Sequence, residues 1–101
     1  MLLPHVLRFN LTAATDRYTR IATAMGVEAN GHGITAAERG IEHLVQLSKS
    51  CGIPQRLSEL GVPRTAIPGM AKAAMQVTRL LNNNLRPVTL ADAMQIYEAT
   101  F

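Results

Sequence analysis

NNNLRPVTLADAMQIYEATF (Asn82–Phe101) closes the chain, and it reads as a loop followed by one amphipathic helix. Three consecutive asparagines, Asn82–Asn84, compete with helix through their own side-chain hydrogen bonds and favour a turn. Thr89 then offers an N-cap hydroxyl, with the Asp92 carboxylate near the positive end of the helix dipole. Leu90, Ala93, Met94 and Tyr97 recur at helical spacing and share one face, with Phe101 below them. At the other end, MLLPHVLRFN (Met1–Asn10) reads as the tail of a helix, half an element without a capping residue in front of it. Pro4 fits only its first turn or a kink, and Val6 and Phe9 can share a face.

The interior follows the same period. In Ala13–Met25, the residues Tyr18, Ile21, Ala22 and Met25 lie at offsets 0, 3, 4 and 7. Thr12 or Thr15 could cap that helix, and Gly26 suits the left-handed residue just past its end. Glu28–Gly33 is a turn-rich connection. Thr35-Ala36-Ala37-Glu38 matches a capping box. Ala37, Ile41, Leu44, Val45 and Ser48 form the stripe behind it, and Gly52-Ile53-Pro54 stops the helix. Gln55–Leu60 fits a short helical turn closed by Gly61. Pro63 and Pro68 can each open a turn, and a longer helix is expected from Pro68 to Leu81 with Ala71, Ala74, Met75, Thr78 and Leu81 on its face. No segment alternates apolar and polar residues for long enough to form a strand. The expected fold is all-α: four main helices plus short turns, in a small bundle.

Composition agrees. A chain of 101 residues is one small domain, able to bury roughly 60–65% of its unfolded surface. Tryptophan is absent, and Phe9, Phe101, Tyr18 and Tyr97 are the only aromatics. A core of Ala, Leu, Ile, Val and Met suits closely packed helices. The net charge of +3 invites a test for nucleic-acid binding. Arg8, Arg17, Arg20, Arg39, Lys49, Arg56, Arg64, Lys72, Arg79 and Arg86 are spread almost evenly along the chain, with no run and no interleaved aromatics. No nucleic-acid partner is therefore expected. No stretch approaches the ~20 apolar residues of a membrane span, and the start of the chain lacks the apolar run of a signal peptide. Cys51 is the only cysteine, which rules out an intrachain disulfide and fits a reducing, cytoplasmic setting.

Candidate chemistry is sparse. His5, His32 and His43 are the only imidazoles, and no two share a helix face by spacing. A metal site needs three or four converging ligands. His5 is better explained as a packing or capping histidine than as a ligand. Cys51 has Lys49 near it in sequence, but two residues apart on a helix do not face one another, so a buried or half-buried inert thiol is expected. Asp16, Asp92, Glu28, Glu38, Glu42, Glu59 and Glu98 fit caps and solvated faces. No phosphate-binding Gly-rich loop and no G-x-S-x-G is present. The expected catalytic, cofactor-binding and metal-binding residues are none.

LLPHVLRFN (Leu2–Asn10) and VTLADAMQIYEATF (Val88–Phe101), found together at this separation, resemble the C-terminal helical part of the iron-containing (group III) alcohol dehydrogenases. GIPQRLSEL (Gly52–Leu60) and Gly61–Pro68 add to the likeness, which covers nearly the whole chain. One departure stands out: Asn84-Leu85-Arg86 stands where the family usually has N-P-R, with proline moved to Pro87. The resemblance implies the C-terminal portion of the dehydroquinate synthase-like fold. It also implies a parent enzyme that uses NAD(P) and a divalent metal, iron or sometimes zinc, held by one Asp and three His. In that family the metal acts as a Lewis acid during hydride transfer between an alcohol or aldehyde and nicotinamide. None of those four ligands, and none of the nucleotide-binding glycines, maps onto a residue of this sequence. Residues 1–101 are thus expected to form one helical domain without a nucleotide-binding domain or metal-ligand segment, binding no cofactor and inactive by itself. The competing expectation is a free-standing helical interaction module. In either case apolar surface around Leu2, Leu3, Val6 and Phe9 is expected to lack an intrachain partner, and a homodimer through that half-helix is the expected remedy.

Overall fold

The first helix turns a corner. In the computed structural model, which describes residues 1–28 and 34–101, α1 runs Leu3–Ala24, with Pro4 in its first turn as its lost N–H permits. Leu2–Asn10 and Ala13–Met25 are thus parts of one element, broken by non-helical dihedrals at Ala14 (φ −138°, ψ 20°). The break is sharp. Leu3 and Leu7 line one small apolar depression together with Tyr18, Ile21 and Met25. A straight helix rising 1.5 Å per residue would hold Leu3 and Ile21 about 27 Å apart. Neither threonine caps the second arm as expected. The Thr15 hydroxyl donates back to the Leu11 carbonyl at 2.8 Å, the backbond that bends helices. Gly26 does terminate α1, at φ +81°, with the Val27 N–H reaching the Ala22 carbonyl.

The expected loop Glu28–Gly33 lies almost wholly outside the described residues, and His32 with it. α2 is Ile34–Ser50. It begins one residue before Thr35, which puts that threonine inside the first turn and not at the N-cap of a Thr35–Glu38 box. The α2 stripe is as expected: Ala37 and Ile41 are buried, and Leu44, Val45 and Ser48 half-buried. The Ile53 N–H donates to the Ser48 carbonyl and closes the helix.

α1 and α2 pack at unusually short range. Ala22, Ala36 and Ala37 are fully buried, and a Cβ placed on Gly40 would stand 2.7 Å from the Ala22 Cβ. Glycine is needed there for the approach of the two backbones. Leu11, Ala14, Tyr18, Ala37 and Ile41 form one core cluster, with Leu7 against it.

The second half is built from shorter pieces. Leu57–Leu60 is a 3-10 turn closed by Gly61 at φ +72°, as expected, and buries Leu57. A second 3-10 turn, Arg64–Ala66, leads into α3 (Ile67–Ala74). The single helix expected over Pro68–Leu81 is two: α3 stops, and α4 (Thr78–Asn82) starts after Val77. The N–H groups of Gln76 and Val77 bond three residues back, to Ala73 and Ala74, tightening the last turn. Val77 then leaves the helical region at φ −86°, ψ 62°. α5 is Leu90–Thr100, opened by a complete capping box. Thr89 Oγ1 accepts from the Asp92 N–H at 3.1 Å, and Asp92 Oδ2 accepts from the Thr89 N–H at 2.9 Å.

α3 packs on α5 through Ile67, Ala71 and Ala93, and α5 also meets α1. Thr100 is almost fully buried and spends its hydroxyl on the Ile96 carbonyl at 2.7 Å. The fold is all-α among the described residues, with five α-helices where four were expected.

Candidate functional site

The residue types that could carry chemistry are held apart. His5 is half-buried near the start of α1. Burial, then the charges of Arg8 and the N-terminal amine, holds its pKa below the ordinary 6.5. His43 is exposed on α2, and Cys51 is exposed just past its end, where a buried or half-buried thiol was expected. No group of three His, Cys, Asp or Glu side chains converges among the described residues. Iron needs such a set, so these residues do not fit that metal by themselves.

What the fold does assemble is an apolar groove. The first arm of α1 supplies Leu2, Val6 and Phe9. α3 and α4 contribute Ala74, Leu80 and Leu81, and α5 adds Ile96 and Tyr97, around a space of about 290 Å³. The α3–α4 break makes this possible, because it swings Leu80 and Leu81 towards α1. The expected unpartnered patch is divided between two faces of the first arm of α1. Leu2, Val6 and Phe9 face the groove, whereas Leu3 lines the separate depression of about 150 Å³ beside α2.

One edge of the groove is fixed by a polar clasp that sequence reasoning missed. Asn10, 3% exposed, and Asn84 exchange reciprocal amide hydrogen bonds, each N–H to the other's oxygen at 2.8 Å. Asn84 Nδ2 also donates to the Arg86 carbonyl at 2.8 Å. The Arg86 guanidinium donates in turn to the Phe9 carbonyl at 2.8 Å, and its carbon lies 3.8 Å above the centre of the Phe9 ring. Together these contacts tie the loop after α4 to α1 across 74 residues. The one local signal was Asn10 itself, an amide between Phe9 and Leu11 on a buried helix. Leu85, where the chain departs from N-P-R, is 38% exposed, so the departure falls between the two residues that make the clasp.

A second tie holds the end of α5. Arg64 pairs with Glu98 while its guanidinium carbon lies 4.3 Å above the Phe101 ring, and the Ser58 hydroxyl donates to the Phe101 carbonyl at 2.8 Å.

Comparison with known proteins places this architecture. Residues 1–101 match the model of the Fe-containing alcohol dehydrogenase family, C-terminal. The chain is 33% identical, over a 102-residue alignment, to lactaldehyde reductase of Escherichia coli K12, covering all of this chain and 26% of that enzyme. It is 38% identical over 95 residues to NAD-dependent methanol dehydrogenase of Bacillus methanolicus, covering 93% of this chain and 25% of that protein. In crystal structures, a 1,3-propanediol oxidoreductase superposes with a TM-score of 0.91 at 37% identity, over 99% of this chain and 26% of the other. The chain thus spans about a quarter of the length of the relatives it matches. The whole-length family match and the superposition agree, and the chain belongs to the iron-containing alcohol dehydrogenase family, as its C-terminal helical part.

Proposed function

We propose that these residues are the C-terminal helical wall of an NAD(P)- and divalent-metal-dependent alcohol dehydrogenase acting in the cytoplasm. The whole enzyme would transfer hydride between an alcohol or aldehyde and the nicotinamide. The observation that carries this reading is the match of all 101 residues to the family's C-terminal model. The described residues bring no ligand set together, so no catalytic step is assigned to any of them. Their contribution is architectural. The Asn10–Asn84 pair and the Arg86–Phe9 contact hold the loop after α4 in one position. The α1–α2 and α3–α5 pairs make a rigid support for it. The chain by itself is inactive in this reading.

The test is a graft. The matching C-terminal quarter of the Bacillus methanolicus methanol dehydrogenase is replaced by this chain, and methanol-dependent NAD reduction is measured. Retained activity, with none from the 101-residue chain alone, is the expected result. A graft that folds and holds its metal yet shows no turnover would overturn the reading. So would the isolated chain if it bound one metal tightly and reduced NAD.

A further inference from the structure

We draw no further inference here: the strongest candidate, the polar depression of about 600 Å³ where the start of α1 meets the ends of α2 and α5, sets the exposed Arg8, Lys49 and Arg56 beside Glu59 and Glu98, and nothing in the structure shows what covers it.

Discussion

Adding one methyl group at Gly40 should destabilise the chain although it improves a helix. Alanine in place of glycine inside a helix ordinarily contributes about 1 kcal/mol. The new Cβ would lie 2.7 Å from the Ala22 Cβ, 3.4 Å from its Cα and 3.8 Å from its nitrogen. Ordinary carbon contacts are about 3.5–4.0 Å, so roughly 1 Å is missing. The obstructing atom has no rotamer by which to escape. α1 and α2 must move apart instead, loosening Leu11, Tyr18 and Ile41 together. Overpacking of this kind costs about 1–3 kcal/mol, leaving a net loss of about 1 kcal/mol for Gly40→Ala. Gly69 is the internal control. It is exposed in α3 with nothing within 4 Å of an added Cβ, so Gly69→Ala should stabilise by about 0.5–1 kcal/mol. Urea melts followed by circular dichroism at one fixed chain concentration separate the two. Midpoints should move in opposite directions and differ by about 1 M, given slopes near the low end of 1–3 kcal/mol/M for a small domain. Adding Ala22→Gly to Gly40→Ala should remove the clash, so that the double variant loses about 1 kcal/mol less than the two single losses added. A Gly40→Ala midpoint equal to or above that of the wild type would refute the close crossing.

The clasp should behave as a unit. Asn10→Ala and Asn84→Ala should each cost about 1–3 kcal/mol, because each leaves a part-buried amide without its partner. The double variant should cost clearly less than their sum, and strict additivity in the same melts would show that the amides do not pair. Thr89→Ala should cost about 1 kcal/mol through loss of the α5 cap, and the same change at Thr35, inside α2, should cost less; equal losses would argue for a second cap. His5 has its folded-state pKa lowered, so the unfolded chain binds its proton more readily. That contribution to stability is present above 6.5 and is lost as pH falls through the folded value. Melting temperatures at pH 7.5 and 5.5 should therefore drop more for the wild type than for His5→Gln, and parallel drops would contradict this.

The sequence was readable where the decisive contact is local. Thr89 and Asp92 are three residues apart and cap α5 as their pattern says, and Gly26 and Gly61 close their helices for the same reason. Thr35 and Glu38 show that pattern equally well, yet α2 starts at Ile34. A capping motif names a starting point that the preceding residues can override. Periodicity identified the buried face of α2 and, in α5, Ala93, but it placed the exposed Leu90 on the α5 face, missed the buried Thr100 and did not separate α3 from α4. Ala71, Ala74, Met75, Thr78 and Leu81 keep helical spacing across Val77, although its backbone has left the helix. The corner at Ala14 was visible as a gap between two segments, and its direction was not. The Asn10–Asn84 pair spans 74 residues, and neither asparagine signals the other. The apolar groove, assembled from four helices, could not be read from the sequence.

These differences give the molecule two separable parts. Ala22, Gly40, Ala37 and Ile41 lock α1 to α2, far along the chain from the groove, and changes there act on stability first. Asn10, Asn84, Arg86 and Phe9 join α1 to the loop before α5, and they set the width of the groove, because Phe9 and Asn84 both line it. Loosening the clasp should therefore change what the groove can accept before it unfolds the bundle. Overpacking at Gly40 should lower stability by about 1 kcal/mol while leaving the groove's own lining in place. The buried amide pair is more than a satisfied polar contact in this respect. Two leucines could fill a similar volume, but they would not fix the loop in one register against the broken turn of α1. A directional pair does so, and the Arg86 guanidinium beside it donates to the Phe9 carbonyl.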